Sequence, residues 1–162
     1  MAESKISVLR NMSIAIDTAI KEGKPIPIFN NIMPVIHSEE VLILAYSNIQ
    51  GNKGALTKGT NDITVDGSSM KTITSIQTRL KNKTFHFPRV RRIYVPKPKK
   101  IKWTIENLIS SGRPLGMPDF ESKVVQEAMR LVLEAIYEPL FDQINHGFRR
   151  AKGCHDAFNK IL

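Results

Sequence analysis

A chain of 162 residues that is 41% hydrophobic holds enough apolar mass for one modest core, which argues for a single folded domain and against disorder. A formal charge of +9 calls for a polyanionic partner, nucleic acid ahead of anionic lipid. No run of about 18 apolar residues is present to span a membrane, and the single cysteine, Cys154, excludes an internal disulfide framework and fits a reducing compartment.

The opening segment, Met1 to Lys24, mixes Lys5, Arg10, Lys21 and Lys24 with Glu3, Asp17 and Glu22, a poor signal or transit peptide. A chain without an import signal is made where it works or made in a bacterium. Ile6, Leu9, Ser13, Ile16 and Ile20 recur at helical spacing and predict an amphipathic helix that ends at Gly23, before Pro25, as an appendage. Three prolines and two asparagines between Pro25 and Pro34 predict an extended linker, so residues 1–35 form an amino-terminal helix and linker.

Ser38 followed by Glu39 and Glu40 reads as an N-cap with acids in the first turn, and Val41, Leu42, Ala45 and Ile49 supply the buried stripe of a second helix ending near Gly51. From Gln50 to Gly67 the composition turns to Gly, Asn, Thr, Lys and Asp, the mark of a long loop. Ser69 caps a third helix with Ile73, Ile76 and Leu80 on its apolar side. Val90 to Val95, rich in β-branched residues and closed by Pro96, predicts a strand, and a second short strand encloses Arg113 to Gly116. Pro118-Asp119 opens the clearest helix, with Val124, Ala128, Leu131, Ala135 and Ile136 on one face and Lys123, Glu127, Arg130, Glu134 and Glu138 on the other, stopped by Pro139.

Between Arg79 and Lys102 stand ten cationic residues, Arg79, Lys81, Lys83, Arg89, Arg91, Arg92, Lys97, Lys99, Lys100 and Lys102, with no Asp or Glu among them. A solvated face normally mixes both signs. Phosphate contacts explain the bias better, because each neutralised phosphate releases counterions. Phe85, Phe87, Tyr94 and Trp103 interleave with these charges as stacking candidates, the phenylalanines better suited to core packing.

Phe87-Pro88, then Arg91-Arg92-Ile93-Tyr94-Val95-Pro96-Lys97, then Arg113-Pro114-Leu115-Gly116-Met117-Pro118 resemble the fingers hairpin of group II intron reverse transcriptase/maturases. Leu42 to Tyr46, Asn52-Lys53-Gly54-Ala55 and Val65-Asp66-Gly67 look like the amino-terminal extension and first fingers motif of that family. Asp119, Val124 to Ala128, Leu133 to Pro139, His146-Gly147-Phe148-Arg149 and Gly153-Cys154-His155 are similar to the motifs that follow. The resemblance runs from about Ser38 to Leu162.

The resemblance implies an α+β fold: a helix-rich fingers subdomain over residues 36–162 with a short antiparallel hairpin, the palm largely absent. It implies that Lys97 and Arg113 face the triphosphate of an incoming nucleotide, a point charge and a bidentate fork respectively. Arg89, Arg91, Arg92, Lys99, Lys100 and Lys102 would follow the nucleic-acid backbone, and His146 and Arg149 would hold fingers to palm. Lys99 to Ser111 is an insertion that lengthens the hairpin turn and threatens to part Lys97 from Arg113. Nucleotidyl transfer needs two metal ions held by palm aspartates, and no Tyr-x-Asp-Asp occurs in the chain, so it is predicted to be inactive alone, with Mg2+ expected only in a complete polymerase. Asp62, Asp66, Asp119, Asp142 and Asp156 read as structural. The expected function is to bind intron RNA as a fragment of an enzyme of RNA-directed DNA synthesis and splicing, with a palm-containing polypeptide as second partner and no membrane. Mitochondrion, organelle-encoded, is the expected location, with chloroplast and bacterial cytoplasm as alternatives. An inactive relic or a ribonucleoprotein scaffold component is the other reading.

Overall fold

The computed structural model describes residues 4–52, 54–97 and 104–161. Its elements are α1 (Lys5–Lys21), α2 (Met33–Ile36), α3 (Glu39–Gln50), a 3-10 turn (Val65–Gly67), α4 (Met70–Lys81), β1 (Arg91–Val95), α5 (Ile105–Ser111), β2 (Arg113–Met117), α6 (Phe120–Tyr137), a second 3-10 turn (Glu138–Leu140) and α7 (Cys154–Asn159). The architecture is α+β: helices packed around α6, and one antiparallel strand pair.

Burial of two apolar stripes against each other makes the centre of the fold. Val41, Leu42 and Ala45 of α3 and Phe120, Val124, Val125, Ala128 and Val132 of α6 are closed to solvent, with Tyr46 meeting Phe120 edge to face at 5.9 Å. Ile73 and Ile76 of α4 and Val35 and Ile36 of α2 join the same cluster. Ser38 starts α3 as expected: its Oγ accepts from Val41 N at 3.3 Å and donates to Val35 O at 2.9 Å.

α1 is part of this body rather than an appendage. Leu9, Met12, Ile16 and Ala19 are buried, the first two within the common core, and the helix packs on α6 and α3. Ile6 and Ile20 are about half exposed, so the stripe of Ile6, Ser13 and Ile20 does not face inward. Leu9 and Ile16 belong to both rows, and rotating the helix about its axis exchanged Met12 and Ala19 for the isoleucines. Across 35 residues of chain the Glu40 carboxylate accepts from Ser4 Oγ at 2.6 Å and Lys5 N at 2.7 Å, satisfying donors that a helix start leaves free. Those bonds hold the Glu40 carboxyl below its ordinary range. Gly23, at φ 63°, ends α1 in the left-handed conformation while Lys24 N closes back on Ala19 O at 2.9 Å.

Helix α5 lies inside the stretch read as a lengthened turn, so that connection is in part a folded element resting on β1. Lys99, Lys100, Lys102 and Trp103 lie outside the described residues. No described helix is long and apolar enough to cross a membrane.

Candidate nucleic-acid interface

The strand pair runs Arg91↔Met117, Arg92↔Gly116, Ile93↔Leu115, Tyr94↔Pro114 and Val95↔Arg113. The ladder therefore closes at Val95 opposite Arg113, and Lys97 follows two residues later at the same end of the ribbon. Helix α5 forms ahead of β2 and delivers the chain through Gly112 into the pairing.

Directly opposed residues share a face and neighbours along a strand alternate. Arg91 and Arg113 thus stand on one face with Ile93, Val95, Leu115 and Met117. Arg92 stands on the other with Tyr94, Pro114 and Gly116. Arg89, Arg91, Arg92, Lys97 and Arg113 are all exposed. The cations hence clothe a thin ribbon on both sides rather than one flat wall. A Cβ at Gly116 would lie 3.1 Å from Val90 Cγ2, so glycine there leaves room for the strand to pack on the residue before it.

Not every cation of the stretch is free. Arg79 donates from Nη2 to Glu121 Oε2 at 2.7 Å and lies 5.2 Å over the ring of Phe85, so a carboxylate 42 residues away compensates it. Arg91 donates from Nη2 to Lys58 O at 2.9 Å. Phe85 packs against the core and Phe87, half exposed, leans on it edge to face at 5.2 Å. Tyr94 is half-buried.

A polar latch at the foot of the hairpin was not legible beforehand. Asp119 precedes α6 at the cap position, yet its carboxylate turns away from the helix and accepts from Thr60 N at 2.7 Å, Thr60 Oγ1 at 2.8 Å and Asn61 N at 3.4 Å. Lys123, one turn on, donates from Nζ to Thr57 O at 2.8 Å and Gly54 O at 3.3 Å. Burial draws the Lys123 ammonium below the ordinary lysine value, and the Asp119 charge opposes that. Lys58, in the same loop, pairs with Asp62 at 2.9 Å.

Further along the same face of α6, Arg130 bridges Glu127 and Glu134 at 2.7 Å each. Arg149 donates to Glu138 Oε1 at 2.9 Å and to the carbonyls of Asp142 and Asn145, which binds the turn after α6 together. Both ring nitrogens of His146 are buried without a hydrogen-bond partner. Beside them, Met129, Leu133, Tyr137, Phe141 and Phe148 line an open apolar groove of about 560 Å³. Cys154 is exposed.

The described residues thus set a basic strand pair on a helical body, with an open apolar groove along the second half of α6. The comparisons with known proteins give this α+β body its family. Group II intron-encoded protein LtrA of Lactococcus lactis subsp. cremoris is 40% identical over 134 residues, 83% of this chain and 21% of that protein. A 91 kDa protein in the cob intron of Schizosaccharomyces pombe is 38% identical over 125 residues, 77% of this chain and 14% of that protein. A COX1/OXI3 intron 2 protein of Saccharomyces cerevisiae is 34% identical over 127 residues, 78% of this chain and 14% of its own length. No protein-family profile matches the chain. The chain belongs to the group II intron-encoded reverse transcriptase/maturases, and it spans about a fifth or less of the curated relatives it matches.

Proposed function

We propose that this chain is the fingers portion of an intron-encoded RNA-directed DNA polymerase and that it binds its intron RNA, assisting splicing, through the β1–β2 hairpin. The observation that carries the reading is the register: Arg113 pairs opposite Val95, at the turn end of a cationic ribbon, and Lys97 follows two residues after Val95. There they face the triphosphate of an incoming nucleotide in the complete enzyme. Arg89, Arg91 and Arg92, joined by Lys99, Lys100 and Lys102, follow the RNA backbone.

Polymerisation belongs to the complete enzyme. Among the described residues no group of three His, Cys, Asp or Glu side chains converges to hold a metal ion, and the Asp119 carboxylate is already taken by Thr60 and Asn61. The described residues do not fit a Mg2+ pair, and the aspartates for it come from palm sequence on the same or another polypeptide. The apolar groove along Met129, Leu133 and Tyr137 supports such a partner. A mitochondrial, organelle-encoded setting is the reading favoured by relatives in yeast introns, with a bacterial one next.

The test is binding of intron RNA and of bulk RNA to the folded chain over a range of salt. The expected result is tighter intron binding that persists at moderate salt, with log affinity falling against log salt at a slope of about −3. Equal, weak binding of both RNAs would favour an inactive relic. Mixing with a palm-containing polypeptide should restore primer extension.

A further inference from the structure

The hairpin lacks what holds the helices. Its strands pack chiefly on each other and on α5, and Ile93, Tyr94 and Met117 are its half-buried residues while the other seven of the ladder are exposed. Apolar burial of this extent leaves the angle of a two-stranded ribbon on its support weakly defined. Among the described residues the angle nonetheless has polar determinants that meet one short segment, residues 54–61. Arg91, the first residue of β1, holds Lys58 O; Asp119, two residues beyond β2, holds Thr60 and Asn61; Lys123, in the first turn of α6, holds Gly54 O and Thr57 O.

We propose that Asp119 is a positioning residue: through its three bonds to Thr60 and Asn61 it makes the 54–61 loop a strut that sets the orientation of the hairpin on the helical body. Asp119 is 4% exposed, so its carboxylate relies on these three bonds rather than on water, while Thr60 and Asn61 are themselves exposed and turn to water when it is removed. Gly59 is part of the device. A Cβ there would sit 2.6 Å from Asp119 Cα, and the absence of a side chain is what lets loop and cap close on each other. Arg91 then has a second duty beside phosphate contact, joining the free end of the strut to the strand. Asp119 itself touches no RNA. It raises affinity by holding the ribbon in one pose before RNA arrives, which lowers the ordering cost of binding. Only that last step rests on the RNA-binding reading.

The experiment compares amide hydrogen exchange and RNA affinity in the full chain, its Asp119→Ala variant and its Asp119→Asn variant. In Asp119→Ala, exchange of the β1–β2 amides rises at least about tenfold while α3 and the C-terminal half of α6 keep their protection, because the hairpin opens as a local unit. RNA affinity falls about fivefold as pre-organisation is lost. Asp119→Asn keeps an acceptor oxygen and recovers most of both. Should Asp119→Ala fail to fold, Thr60→Val, which removes one of the three donors, shows the same pattern at smaller size. Unchanged hairpin exchange, or loss of protection shared equally by α3, overturns the strut. A loosened hairpin with undiminished RNA affinity overturns its role in binding. If the unaltered chain ignores RNA, the function proposed above fails while the exchange data still decide the strut.

Discussion

The α3–α6 interface and the β1–β2 ribbon are held by opposite means. In the first, Val41, Leu42, Ala45, Phe120, Val124, Ala128 and Val132 lose all or nearly all contact with water, and their attraction is non-directional and summed over many atoms. In the second, Arg91, Arg92, Val95, Arg113, Pro114, Leu115 and Gly116 stay exposed, and position depends on ladder bonds and a handful of polar contacts at one end. The difference teaches where charge can be kept. An unpaired charge is costly to take out of water, so the cationic element stands outside the core.

Four measurements break or sharpen that contrast. Phe120→Ala should show the greatest effect, about 3–5 kcal/mol of stability lost in urea unfolding, as expected for emptying a closed aromatic site. A loss below about 1 kcal/mol would mean that the interface is not the core. Gly59→Ala comes next, at about 1–3 kcal/mol, because the new methyl overpacks the Asp119 backbone. Its unfolding should be read together with hairpin exchange, which must rise as well.

Acid titration gives a smaller effect. Hydrogen bonds from Arg130 first, and then from Asn48, hold the Glu127 carboxyl below its ordinary value of 4.5, against a desolvation that raises it. A group depressed in the folded state stabilises above its unfolded pKa and loses that contribution as pH falls through the folded one. Glu127→Gln should therefore be less stable than the unaltered chain near neutrality, by about 0.5–1 kcal/mol after screening. The two curves should converge below pH 4.5, whereas a gap that persists there would place the cause elsewhere than ionisation. Arg92→Ala is the smallest in stability, within about 0.5 kcal/mol. It should still reduce the salt slope of RNA binding by about 1, and a change in stability with an unaltered slope would remove Arg92 from the interface.

Much of the helical body was legible because its signals are local. Ser38 caps α3 and Val41, Leu42, Ala45 and Ile49 bury as their spacing predicts. The strands over Val90 to Val95 and Arg113 to Gly116 differ from those observed by one residue each. Less was legible in α1, where Ile6 and Ile20 were read as inward and Met12 and Ala19 took that place. Two apolar rows on one helix have nearly equal claims until a partner surface chooses between them. The site divides in the same way. The cationic run could be read residue by residue, but the compensation of Arg79 by Glu121 and the duty of Arg91 toward Lys58 join residues 42 and 33 positions apart, a distance at which composition carries no signal.

The order of the four longer helices and the two strands, the cationic surplus of the stretch from Arg79 to Lys102 and the family kinship were contained in the residues as written, because period, cap and charge act over a few positions, whereas the short helices α2, α5 and α7 were not. The ribbon's two cationic faces, the pairing of Arg113 opposite Val95 across an inserted helix, and the seating of Asp119 against Thr60 and Asn61 arose only when distant segments met. Register and buried hydrogen bonds are properties of pairs, and the partner of each pair is chosen by the packing of the whole chain.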